Sequence, residues 1–288
     1  MKETMEIALA ITAPRRLAAL KSVATLDRAA LLTFLNDPQL DQLLPKEAVV
    51  THLYFGSEYC EHLFPKNADL IVALAQAERL GLKFVLPTPI ANDELLARIS
   101  KAVARLPDGS EVVVNDWGVA QTMKTRFPQY CVVAGRQLAK MIKDPRVPAP
   151  AWNQVYPSNY KAEAYARVLA GLNIRQVELD IPPFATADTF VVNDLAVSVW
   201  APYAYVAKGR LCKVGSLGRP TEDKFAPGRP CRRECLGMLE REPETIASRL
   251  RTYSRGTTLF YHHDAAMFDV LRNSIAHGHV KRLVLSEV

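Results

Sequence analysis

"VVTHLYFGSEYCEHLFPKNADLIVALAQAERLGLKFVLPTP" runs from Val49 to Pro89. Its first eight residues, VVTHLYFG (49–56), are rich in β-branched and aromatic side chains that alternate as a strand requires. NADLIVALAQAERLGL then sets apolar residues at helical spacing, with Gly81 where a helix C-cap belongs. KFVLPTP (83–89) is a short apolar run, read as a buried strand. The stretch is one strand–helix–strand unit.

The unit repeats in both directions. EIALAIT (6–12) precedes it as a strand. ANDELLARISKAVARL follows as a helix with Asn92 as N-cap and Asp93 and Glu94 in the first turn, where the helix dipole favours carboxylates. Strand EVVVND (111–116), helix WGVAQTMKTRF, strand QYCVVAG (129–135) and the segment RQLAKMIKD continue the alternation. Residues 144–159 contain four prolines and are read as a long loop. Beyond it, KAEAYARVLAGLN reads as helix and RQVELDIP (175–182) as strand. FVVND and AVSVWAPYAYV (within 190–206) read as further strands. A second long loop (207–237) follows. PETIASRLRTYS is then expected as helix, TTLFYHH (257–263) as strand, DAAMFDVLRNSIAHG as helix and KRLVLSEV (281–288) as the last strand.

Strands alternating with helices imply an α/β fold with a mostly parallel sheet, because parallel neighbours need a crossover and the helix supplies it. The length of 288 residues suits a single domain. No glycine-rich phosphate loop opens a helix, so an open nucleotide-binding sheet is disfavoured. The expectation is a TIM-barrel-like (β/α) barrel, regular or irregular, with its chemistry at the strand C-terminal ends. The composition, 49% hydrophobic with a net charge of +6, is that of a soluble protein. No apolar run reaches the roughly 20 residues of a membrane span. The N-terminus lacks a secretory pattern, so a cytoplasmic location is expected.

The five cysteines are Cys60, Cys131, Cys212, Cys231 and Cys235. An odd number argues against a disulfide framework. Cys131 lies within a strand between apolar neighbours and is expected to be a small buried residue. The other four follow strands, so a barrel would bring them to one face. The pair Cys231 and Cys235, in "CRREC", is C-x₃-C, while Cys212 and Cys60 stand well apart from it. Structural zinc sites use two close pairs. The scattered spacing suits a four-thiolate iron–sulfur cluster better, with zinc and incidental loop cysteines as the other readings. A four-thiolate cluster is net negative, and the basic segment Arg210 to Arg233 would offset that charge.

Glu58, Asn115, Asp116, Arg136 and Arg210 fall at predicted strand C-termini or beside the cysteines and are candidates for substrate binding. Strand-end capping and ion pairing are the alternatives for each. Trp200, Tyr203 and Tyr205 could line a pocket for a flat aromatic substrate, or simply form barrel wall. His262 and His263 are adjacent on a strand, so they point to opposite faces. H-E-x-x-H and G-x-S-x-G are absent, which disfavours familiar hydrolases. The basic segment 210–233 keeps RNA open as a partner.

The stretches HLYFGSEYC (52–60), KFVLPTP, VVVNDWGVAQ (112–121), YCVVAG (130–135), APYAYVAKGRLC (201–212), CRREC (231–235) and VKRLVLSEV resemble the collagenase-like peptidase family U-32. The likeness is strongest to short, single-domain members of ubiquinone biosynthesis. It implies a barrel-like fold and a [4Fe–4S] cluster held by Cys60, Cys212, Cys231 and Cys235. It also implies oxygen-independent hydroxylation of a quinone precursor or, in an RNA-modifying branch, of an RNA base. A homologous subunit of the same family would complete a heterodimer. The family's peptidase label, or a non-catalytic subunit stabilised by its metal, are the remaining implied roles.

Overall fold

A computed structural model of the chain describes residues 5–147, 149–155, 158–192, 194–209, 212–224, 231–242 and 250–287. The strands, in chain order, are β1 (Glu6–Ile11), β2 (His52–Phe55), β3 (Lys83–Thr88), β4 (Glu111–Val114), β5 (Cys131–Ala134), β6 (Gln176–Leu179), β7 (Ala196–Ala201), β8 (Tyr203–Lys208), β9 (Glu240–Arg241), β10 (Thr252–Arg255), β11 (Thr258–His262) and β12 (Arg282–Ser286). The α-helices are α1 (Pro14–Leu20), α2 (Arg28–Leu35), α3 (Asn67–Arg79), α4 (Asp93–Val103), α5 (Trp117–Arg126), α6 (Trp152–Val155), α7 (Glu163–Gly171), α8 (Lys213–Ser216) and α9 (Ala265–Ala276).

Strands β1 to β7 and β12 close into a parallel barrel in the order β1-β12-β7-β6-β5-β4-β3-β2. The register is continuous around it, from Leu9 opposite Leu53 to Leu285 opposite Ala201. The strands are buried on both faces, which is why they read as nearly unbroken apolar runs rather than strict alternations. Leu9, Ile11, Leu53, Phe55, Val112 and Val114 face the helices, while Ala8, Tyr54, Val85, Val113, Trp200 and Val284 form a separate buried cluster inside the barrel. The expected caps hold. Asn92 accepts from the Leu95 amide at 2.8 Å, and Gly81 takes φ +66° just past α3, a left-handed position that glycine occupies without a Cβ clash.

The remaining strands form a second, antiparallel sheet in the order β8-β11-β10-β9. The sequence reading did not anticipate this sheet. The run AVSVWAPYAYV splits at Pro202: β7 closes the barrel and β8 leaves it to pair with β11. TTLFYHH is therefore a strand of this crown and not of the barrel. Residues 252–254, expected as the end of a helix, belong instead to strand β10, which pairs with β11 through Tyr253 opposite Phe260. Residues 243–249 of that expected helix lie outside the described residues. RQLAKMIKD forms turns instead of a helix, since Arg136, Gln137 and Lys143 are drawn inward by buried polar partners. The proline-rich segment admits a short helix, Trp152–Val155.

Among the described residues, no helix is long and apolar enough to cross a membrane.

Candidate functional site

A cavity of about 420 Å³ opens at the C-terminal end of the barrel. Its floor and wall come from strand ends: Ala10 and Ile11 at the end of β1, Tyr54 and Gly56 at β2, Pro87 at β3 and Trp200 at β7. Its roof comes from the crown, through Lys208, Arg255, Gly256, Thr258 and Phe260. Gly56 is required by close approach, since a Cβ there would stand 2.6 Å from the Pro87 carbonyl oxygen.

Cys60, Cys212, Cys231 and Cys235 all border this cavity. Cys60 arrives on the loop after β2. The other three arrive on the excursion between β8 and β9, so a barrel loop and the crown each contribute. Arg233 of "CRREC" fastens the two together. Its guanidinium donates to the His62 carbonyl at 2.8 Å, the Phe64 carbonyl at 3.0 Å and Asp69 at 3.2 Å, all on the Cys60 side. Arg233 is thus engaged in tethering rather than facing the thiols, and Arg232 is exposed. Gly256, at φ +60° in the β10–β11 turn, sits so close that a Cβ would lie 3.3 Å from Cys235 Sγ and 3.9 Å from Cys212 Sγ.

Backbone amides point at the sulfurs. Gly215 N–H donates to Cys212 Sγ at 3.2 Å and Arg233 N–H to Cys231 Sγ at 3.2 Å. The His62 and Leu63 amides do the same for Cys60. Burial nonetheless pushes the Cys60 thiol up, and pushes Cys235 up to about 12, each reinforced by the neighbouring cysteines. Thiols raised in this way are poor free nucleophiles. The same donor set is what a bound metal centre uses, because a metal holds the thiolates and amide hydrogen bonds stabilise them. Among the described residues, no three His, Cys, Asp or Glu side chains converge tightly enough for one metal ion. A single zinc would draw thiolates to about 3.8 Å from one another, given Zn–S bonds of ~2.3 Å. A four-iron cluster binds each thiolate at a different iron and so takes its thiolates farther apart than a single zinc does.

Beside the thiols lies a buried ionic knot. Arg136 donates to Glu58 through both Nε, at 3.2 Å, and Nη2, and to Asp180 through Nη1 at 2.7 Å. Lys143 reaches the other Asp180 oxygen at 2.5 Å. The Arg136 guanidinium also stacks 3.9 Å from the Trp200 ring centroid. Burial draws Lys143 down to about 8, against the pull of Asp180. Deeper still, Glu178 accepts from the Tyr54 hydroxyl and from Trp200 Nε1, each at 2.9 Å. With only neutral donors on it, burial raises its carboxyl to about 8, and the Glu58 charge adds to the rise. Arg282 closes the lower end of the barrel, paired with Glu111 and Glu6.

Of the sequence candidates, Glu58 and Arg136 line the cavity, with Trp200 and Tyr203. Asn115 and Asp116 do not. Asn115 ties three strand ends, donating to the Thr88 carbonyl and accepting from the Gln137 amide at 3.0 Å each. Asp116 caps α5 through the Gly118 and Val119 amides at 2.7 and 3.1 Å. Tyr205 packs under Lys143, whose ammonium stands 3.2 Å from the ring centroid. Arg210 lies outside the described residues, as do 211 and 225–230 of the basic segment. Cys131 is exposed, contrary to expectation, because it is the first residue of β5 at the open N-terminal rim. His263 is buried, while His262 binds Asp37 at 2.8 Å.

Glu178, Asp180, Lys143 and Arg255 escaped the sequence reading. A signal for two of them existed. In "QVELD", polar residues recur at Gln176, Glu178 and Asp180, which puts a polar face of β6 inside the barrel.

No protein-family model matches the chain, and no curated protein matches it. Among solved structures, the U32 peptidase Mk0906 is similar, with a TM-score of 0.46, 8% identity, and coverage of 100% of this chain and 94% of that one. The C-terminal domain of a putative chitinase from Desulfitobacterium hafniense DCB-2 gives a TM-score of 0.44 and 9% identity over 98% and 93% of the two chains. A glycoside hydrolase family 18 N-acetylglucosaminidase from Paenibacillus barengoltzii gives 0.42 and 9% over 98% and 94%.

Proposed function

We propose that this chain is a [4Fe–4S] protein of the U-32 peptidase-like family that supports oxygen-independent hydroxylation, in the manner of the ubiquinone-biosynthesis protein UbiV. A homologous, UbiU-like subunit would be its partner in a heterodimer. One observation carries the reading: Cys60, Cys212, Cys231 and Cys235, from distant parts of the chain, border a single cavity. These four would hold the cluster, which when bound supplies one-electron redox chemistry.

The rest of the cavity is suited to a small aromatic substrate such as a quinone precursor. Tyr54, Trp200, Tyr203 and Phe260 give it flat apolar surface. Glu58 presents a carboxylate held in one orientation by Arg136. The barrel wall below and the crown above restrict water. Each polar contact in such a site is worth more than in bulk solvent.

Purification without oxygen, with iron, acid-labile sulfide and paramagnetic spectra, tests the reading. Support is about four irons per chain, lost in Cys→Ala variants at 60, 212, 231 and 235 and retained in Cys131→Ala. Zinc, or no metal, refutes it. Anaerobic hydroxylation of a quinone precursor by the chain with its partner tests the activity.

A further inference from the structure

Buried charges in proteins are normally paired, because an unpaired one loses its hydration without compensation. Three arginines of this chain obey the rule: Arg136 with Glu58 and Asp180, Arg282 with Glu111 and Glu6, and Arg233 with Asp69 and two carbonyls. Arg255 does not. It is half-buried in the cavity roof, and its Nε is shut from solvent with no acceptor. Among the described residues its guanidinium makes no hydrogen bond and no ion pair. The carboxylate that acts on it most strongly, Glu287, is bonded to Arg16 at 2.7 Å.

Arg255 is the residue before Gly256 in the β10–β11 turn, and Gly256 packs against Cys235 and Cys212. Arg255 and Cys235 act on each other electrostatically. Among the described residues, the thiols of the same cavity would supply the anion that Arg255 lacks once they carry charge, as they do around a metal centre. Of the basic segment 210–233 expected to serve this purpose, Arg233 is engaged elsewhere and Arg232 is exposed, while Arg210 and Arg229 lie outside the described residues.

We propose that Arg255 is the positioning cation of the thiolate site, which offsets the negative charge gathered at Cys60, Cys212, Cys231 and Cys235 and so sets the reduction potential of the group they hold. The proposal rests on the iron–sulfur reading of the site. Reduction adds negative charge, and a nearby guanidinium favours the more negative form.

An anaerobic redox titration of the loaded protein, read by electron paramagnetic resonance, tests it on wild type, Arg255→Gln and Arg255→Lys. Arg255→Gln should move the midpoint to a more negative potential at unchanged iron content, and Arg255→Lys should restore most of the shift, because it keeps the charge. Equal midpoints in wild type and Arg255→Gln overturn the proposal, as does a shift that Arg255→Lys fails to restore. The metal-free protein provides a second measurement. There Arg255→Gln should unfold at the wild-type temperature or above, since it removes an unpaired buried cation, and a clear loss of stability overturns the proposal. A wild type that holds no cluster refutes the reading of the site itself, which separates the two failures.

Discussion

Arg136 Nη1 stands 2.7 Å from Asp180 Oδ1, and both side chains are almost wholly shut from solvent. The pair joins the loop after β5 to the end of β6, and Arg136 carries the link on to Glu58 after β2. Strand ends far apart around the barrel are thereby fixed beneath the cavity. Removing one partner leaves buried charge uncompensated. Asp180→Ala should cost about 3–5 kcal/mol, measured by denaturant unfolding. Lys143, already drawn down to about 8, should then lose its proton near neutral pH.

Glu178 gives a pH signature. Its carboxyl is raised to about 8 in the fold, above the roughly 4.3 of an unfolded glutamate. Between those values the folded chain holds a proton that the unfolded chain has released. Its contribution to stability therefore falls as pH rises through the window, by at most ~1.4 kcal/mol per pH unit. Glu178→Gln should flatten the stability profile between pH 5 and 8 and gain on wild type toward the alkaline side. Thermal unfolding across that range checks it, and parallel profiles in the two proteins would sink the assignment.

Gly256→Ala combines two penalties. The turn requires φ +60°, and the new Cβ would press on Cys235 at 3.3 Å. The backbone strain alone is worth about 1–2 kcal/mol. The expected result is a lower unfolding temperature together with reduced iron retention, whereas a Gly278→Ala control, at φ +77° with open space around it, should show only the first effect.

Asp116 separates scaffold from substrate. As the α5 cap it should cost about 0.5–2 kcal/mol on Asp116→Ala. Because it does not line the cavity, iron content and substrate affinity should stay at wild-type values. A large loss of either in a folded Asp116→Ala protein would return it to the site.

Much of the barrel was legible because its signals are local. The 2.0 and 3.6 residue periods, the Asn92 cap and Gly81 each act within a few residues, and every barrel strand coincides with an apolar run. The crown was not legible. "YAYVAK" looks like any strand, and only pairing with β11 removes it from the barrel. "TYSR" follows a helix-like segment and becomes strand because Tyr253 and Ser254 find partners on both sides.

The sequence by itself determined the kinds of groups available: four cysteines after strand-like segments, a carboxylate at 58, an arginine at 136, aromatics around 200. Local periodicity and residue chemistry suffice for that. Only the tertiary structure decided which of them meet. Arg233 faces the Cys60 loop instead of the thiols, Asp116 turns to an amide cap, and Arg255 reaches the cavity roof from a turn with no motif of its own. Each of those outcomes depends on contacts between residues remote in the chain, where burial leaves a charged or polar atom only the partners that the fold brings to it.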